Sequence, residues 1–132
     1  MKCPRDNSEL QTKTIDGISV SYCKTCSGIF LNHGELKKIT HHIAGDVEYS
    51  STENVDLTKI TDLNCPACSN VKMIDINFIE YSDIIMKFCN DCKGIWLDGG
   101  ELREINKEID KLNNNTDHWQ HSFRVFLAKL PF

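Results

Sequence analysis

No apolar run in this chain approaches the roughly 20 residues needed to cross a bilayer, and its start, Met1-Lys2-Cys3-Pro4, has no apolar segment of the secretory kind. A cytoplasmic location is therefore expected. In such a reducing compartment, paired cysteines serve as metal ligands more often than as disulfides. Basic excess is missing too: 15 Lys and Arg stand against 19 Asp and Glu, for a formal net charge of −4. Nonspecific affinity for nucleic acid rests on cations that neutralise phosphates, so the balance disfavours it and leaves only a local basic patch as a route. Core-building capacity is also short. A chain of 132 residues is one ordinary domain or two very small ones, and units of roughly 40 residues bury too little apolar surface to fold without a metal or disulfides.

What is present is cysteine. The seven cysteines fall as Cys3, Cys23 and Cys26 in the first half and Cys65, Cys68, Cys89 and Cys92 in the second. An odd total speaks against complete disulfide pairing. Residues 10–15 and 18–22 read as strands joined by Asp16-Gly17, a strong two-residue hairpin turn. Cys23-Lys-Thr-Cys26 follows, with Gly28 expected to supply a positive φ in the knuckle. Ile29, Phe30 and Leu31 form a short third strand. Asn32-His-Gly-Glu35 then has capping-box spacing, and Leu36, Ile39 and Ile43 mark one face of a helix.

The second half repeats this plan. Cys65-Pro-Ala-Cys68 opens it, residues 71–78 and 84–88 read as strands, and Cys89-Asn-Asp-Cys92-Lys-Gly-Ile-Trp-Leu-Asp-Gly-Gly-Glu-Leu102 carries the second knuckle, third strand and capped helix start. At an offset of 66, residues 23–39 and 89–105 share nine identities over seventeen positions, far above the roughly one expected by chance. The chain is an internal duplication. Its units are 1–45, a polar linker 46–62 with a short strand near 57–60, and 63–115. A C-terminal amphipathic helix, 116–132, carries Trp119, Phe123, Phe126, Leu127 and Leu130 as an apolar stripe. This stripe can cover the two units, meet a second copy or enter a partner's groove. Few cations flank it, so membrane binding is not expected.

Two Cys-x2-Cys knuckles held together by a hairpin place four thiolates around a tetrahedral ion, and Cys65, Cys68, Cys89 and Cys92 form such a set. With every position filled by protein, the site is structural and not catalytic. The first set has Cys3, Cys23 and Cys26, with Asp6 in the register of Cys68. A carboxylate can ligate zinc, but His33, a water or loss of the metal are alternatives at that point. His41, His42, His118 and His121 read as helix-end or flanking residues, not as ligands. Phe30 and Trp96 are expected to pack a helix onto each hairpin.

The run Cys-Pro-x-Cys, hairpin, Cys-x2-Cys-x-Gly-Ile-Trp-Leu-Asp-x-Gly-Glu-Leu resembles the transcription factor IIB-type zinc ribbon family, closely over residues 65–105 and loosely over 3–39. The resemblance implies a small, metal-stabilised α+β fold. Two tandem zinc ribbons, each a hairpin plus a short third strand, are each followed by a helix, and the C-terminal helix comes last. It implies Zn2+ at two sites, with Cys3, Cys23, Cys26, Cys65, Cys68, Cys89 and Cys92 as ligands, and Asp6 departs from the four-cysteine pattern. The expected function is a non-enzymatic zinc-binding module that engages a protein, in transcription or elsewhere. Direct nucleic-acid binding, a rubredoxin-like iron electron carrier and a homo-oligomer through the C-terminal helix are the alternatives.

Overall fold

The computed structural model describes residues 1–35, 57–77, 84–111, 126 and 128–130. Both expected hairpins form. Strands β1 (Gln11–Ile15) and β2 (Ile18–Tyr22) are joined by Asp16 and Gly17 at φ 50° and 82°. Two successive positive φ values are what a type I′ turn requires, and the Asp-Gly pair tolerates them. β3 (Ile29–Leu31) returns antiparallel to β2. In the second unit β4 (Ile60–Asn64), β5 (Lys72–Asn77), β6 (Ile85–Phe88) and β7 (Ile95–Leu97) precede helix α1 (Gly99–Lys111). β4 begins inside the stretch read as linker, after a 3-10 turn at Leu57–Lys59. Its side chains give little sign of it: Ile60 is 55% exposed. What holds β4 is pairing with β5 and the Thr61 hydroxyl, which donates to the Met73 carbonyl at 2.8 Å. The helix expected over residues 36–43 lies outside the described residues, as does the greater part of the C-terminal helix.

The two units do not stand apart. The seven strands of the described residues form one sheet in the order β1-β2-β3-β7-β6-β5-β4. The units meet where β3 pairs antiparallel with β7, with Ile29 opposite Leu97, Phe30 opposite Trp96 and Leu31 opposite Ile95. At the 66-residue offset of the duplication, Phe30 and Trp96 are equivalents, so each unit presents the same strand to the other. A local two-fold axis therefore passes between these aromatics, the geometry of an isologous dimer interface within one chain.

Alternation along β3 and β7 sorts the side chains onto two faces. Ile29, Leu31, Ile95 and Leu97 join Leu102 and Ile105 of α1 in the larger core. Phe126 and Leu130 also lie in this core, and Lys129 binds both carboxylate oxygens of Asp16 at 3.0 Å. The C-terminal segment is thus tied to the tip of the first hairpin. Phe30 and Trp96 point to the opposite face, among the cysteines, Leu10 and Met73.

That placement corrects the expected packing of Trp96 under its helix; the helix expected beside Phe30 lies outside the described residues. The placement also corrects the role of Gly28. Positive φ in the second knuckles falls one residue earlier, at Ser27 and Lys93, both at 63°. Gly28 and Gly94 are needed for space. A Cβ on Gly28 would lie 2.2 Å from the Trp96 ring, and one on Gly94 would lie 2.3 Å from the Phe30 ring. Each aromatic is thus seated on the other unit's glycine. Neither ring can retreat, since Trp96 is 0% and Phe30 1% exposed. Gly28→Ala should therefore destabilise the metal-loaded protein by about 1–3 kcal/mol through overpacking. Gly100→Ala meets only the Arg103 guanidinium, at an ordinary 3.7 Å contact, and gains helix propensity, so it should be neutral or stabilising by up to about 1 kcal/mol. Chemical denaturation of the two variants checks the contrast.

Candidate metal centres

Each centre is assembled from two turns held by the same backbone bonds. In the second unit the Ser69 N–H donates to the Cys65 carbonyl and the Lys93 N–H to the Cys89 carbonyl, both at 2.9 Å. In the first unit the Asn7 N–H donates to the Cys3 carbonyl and the Ser27 N–H to the Cys23 carbonyl, both at 3.0 Å. The residue after each second ligand adopts positive φ, at Asn7, Ser27, Ser69 and Lys93, which folds the chain back around the ligand pair. Pairing of β1 with β2 and of β5 with β6 then brings the two turns of each unit together.

The result is two clusters, Cys65, Cys68, Cys89 and Cys92, and Cys3, Asp6, Cys23 and Cys26, each with its ligand atoms within 4.8 Å of one another. His33, the alternative fourth ligand of the first cluster, is exposed and is not part of it. His41, His42, His118 and His121 lie outside the described residues. None of the seven cysteines is in a disulfide. A tetrahedral zinc has Zn–S bonds near 2.3 Å and Zn–O bonds near 2.1 Å, so its edges are about 3.8 Å between sulfurs and about 3.6 Å between sulfur and oxygen. The Sγ atoms of Cys65 and Cys92 are 3.6 Å apart, and those of Cys68 and Cys89 are 3.8 Å apart. In the first cluster Cys3 and Cys26 are 3.6 Å apart, and Asp6 Oδ2 is 3.3 Å from Cys23 Sγ. Both donor sets fit a tetrahedral ion.

Electrostatics point the same way. Burial pushes the Cys3 thiol up to about 12 and raises Cys65 further. Burial also pushes Cys89 up, but bonds from the Cys92 and Asp91 N–H groups and from neighbouring thiols outweigh it and leave it below the ordinary value. In the first cluster Cys23 is likewise held below the ordinary value while burial raises Cys26, and in the second burial raises Cys68 as well as Cys65. Asp6 is different. The Ser8 hydroxyl and N–H both bond its carboxylate and hold it at about 2, so it is ionised throughout the physiological range.

Residues 2–42 and 64–108 each match the family described as Transcription factor zinc-finger. The chain belongs to this family. Its two matches coincide with the two cysteine units, and the family implies zinc as the metal. No curated protein and no solved structure was found to match the chain.

Sequence reasoning missed the polar residues that brace these centres. Arg5, between Cys3 and Asp6, crosses to the second unit and grips Asp98 through Nε at 3.1 Å and Nη2 at 2.7 Å. Asp98 also accepts the Trp96 indole N–H at 2.8 Å. The expected capping box is thus half formed. Glu101 accepts the Asp98 N–H at 2.7 Å, while the Asp98 carboxylate is turned to Arg5 and Trp96. Lys87, buried opposite Trp96, pairs with Asp75 at 3.0 Å and Glu101 at 3.5 Å. The equivalents of Arg5 and Asp98 in the other copies are Ala67 and Asn32, so this ion pair braces only one side of the two-fold.

Arg5→Ala removes a partly exposed ion pair and should cost about 1 kcal/mol or less. Asp98→Ala also strands the buried indole N–H and should cost about 1–3 kcal/mol more. Denaturant titration of both variants and the double variant resolves the two contributions. Metal affinity should fall with acid, because thiols held above their ordinary values must lose protons to bind and those protons compete harder as pH drops. A chelator dye should detect zinc release as pH is lowered from about 8 to about 5, with loss of strand circular dichroism alongside it.

Proposed function

We propose that this protein is a non-enzymatic zinc-binding interaction module, two zinc ribbons joined through β3 and β7, that presents the surface around its first knuckles to a protein partner in transcription or another nucleic-acid process. The observation that carries this reading is the mutual approach of the Cys65, Cys68, Cys89 and Cys92 sulfurs. Four thiolates complete a tetrahedron and leave no position for a substrate, which supports a structural role for the metal. The family's description supports the link to transcription.

The loops at residues 3–7 and 65–69 face each other across a cleft of about 700 Å³. Its walls mix Lys2 and Arg5 with Glu9 and Asp62. A balanced lining of this kind, in a chain of net charge −4, favours a protein over a polyanion, since phosphate binding draws on an excess of cations. Iron would suit two cysteine knuckles as well, but a colourless purified protein with stoichiometric zinc would leave no room for an electron carrier.

A photoreactive residue at Ala67, exposed on the cleft wall, tests the reading. On the full zinc-loaded chain it should form an adduct with one protein, competed by unlabelled wild type. Ala67→Glu should then weaken that protein's binding about tenfold or more without a change in melting temperature. Adducts with nucleic acid alone, together with steeply salt-dependent binding of oligonucleotides, would overturn it.

A further inference from the structure

The two centres stand on the same knuckles but differ at one ligand. Asp6 takes the position of Cys68 and is exposed, whereas Cys68 is half-buried. The carboxylate is also held in one orientation. Its Oδ1 accepts the Ser8 N–H at 2.9 Å and the Ser8 hydroxyl, which leaves Oδ2 at 3.3 Å from Cys23 Sγ. Ser8 Oγ itself lies 3.2 Å from Cys23 Sγ, so one small side chain touches two ligands. In the second unit the corresponding residue is Asn70, whose N–H donates to the Cys68 carbonyl at 2.7 Å and not to a ligand atom.

These differences act on the same step. Thiolate is the softer donor and the better match for zinc, whereas carboxylate suits harder ions. Ser8 orients Oδ2 of Asp6 toward Cys23, but the donor is a carboxylate at the one ligand position of the two centres that is exposed. Its bond to the ion is the one an incoming ligand displaces most readily.

We propose that Cys3, Asp6, Cys23 and Cys26 form an exchangeable zinc site beside a permanent four-thiolate site, with Ser8 as the positioning residue that sets how readily Asp6 detaches. The proposal deepens the zinc reading above and rests on it. Exchange is a ligand substitution: the bond from Asp6 Oδ2 to the ion would break as a thiolate from solution, its proton already lost to water, takes the vacated position. Further thiolates would then displace Cys3, Cys23 and Cys26 in turn, each leaving as a thiolate that takes up a proton from water. No electrons are transferred, and the displaced carboxylate remains bonded to Ser8. The class of molecule that would receive zinc from this site, or deliver it, is a small thiol or a surface cysteine of another protein.

The full chain loaded with two zinc ions, mixed with excess thiol chelator and followed by native mass spectrometry, tests this. One zinc should leave at least about tenfold faster than the other. Asp6→Cys should merge the fast phase into the slow one. Ser8→Ala should speed only the fast phase, by about tenfold, as expected for loss of a bond that orients a ligand. Cobalt substitution supplies a separate signature: the fast-leaving ion should carry about three quarters of the thiolate charge-transfer absorption of the slow one, and Asp6→Cys should equalise them. Equal release rates, a fast phase that survives Asp6→Cys, or an unchanged fast phase in Ser8→Ala would overturn the proposal while leaving two zinc sites in place. Uptake of a single zinc would instead overturn the zinc reading of the first centre and this proposal with it.

Discussion

The contact between each aromatic and the other unit's glycine is the constraint from which the rest of the architecture follows. Trp96 can close on Gly28, and Phe30 on Gly94, only while those positions lack a Cβ, and only while β3 and β7 stay in the register that places Phe30 opposite Trp96. A slip of one residue in either strand would turn its ring to the helix face and send that strand's Ile and Leu toward the cysteines. The register of a three-residue strand is weakly fixed by its own hydrogen bonds. Here it is fixed by two rings that fit nowhere else.

That seam also relates the two metal centres. Gly28 follows Cys26 by two residues and Gly94 follows Cys92 by two, so each ring rests against the loop that supplies two ligands of the opposite centre. Gly99, at the start of α1, also has no room for a side chain, since its Cβ would lie 2.9 Å from the Cys26 carbonyl oxygen. Arg5, Asp98 and Trp96 add a polar link across the same boundary. The centres therefore belong to one packed layer, with Cys3, Cys23, Cys65 and Cys89 in a single buried cluster.

Local features were legible in the sequence because local rules determine them. Asp16-Gly17 specifies its turn, β2, β3 and β7 follow from short apolar runs, and the cysteine spacing marks both knuckles. Asp6 was placed by register alone; its Oδ2 lies 3.3 Å from Cys23 Sγ. The joining of the units was not legible, because β3 pairs with a strand 66 residues away and nothing local distinguishes an open edge from a paired one. The task of Gly28 was misread for the same reason, since its neighbour is a ring from the other unit. The Asp98 cap was misread because capping rules assume a carboxylate free to serve its own helix, and this one is claimed by Arg5 and Trp96. Ser8 carries no motif; its importance comes from where the first knuckle places its hydroxyl.

An interface of two-fold form, when made between separate molecules, is only as populated as their concentration allows. Placing both copies on one chain replaces that dependence with a fixed effective concentration, independent of how much of the protein is present. The pairing of β3 with β7 is thereby insulated from how much of the protein a cell makes. The same pairing removes two strand edges from solution, and the edges that remain, β1 and β4, present mainly exposed polar residues such as Gln11, Lys13 and Asp62. Edges of that composition discourage further strand addition, so the duplication that builds the sheet also sets its width.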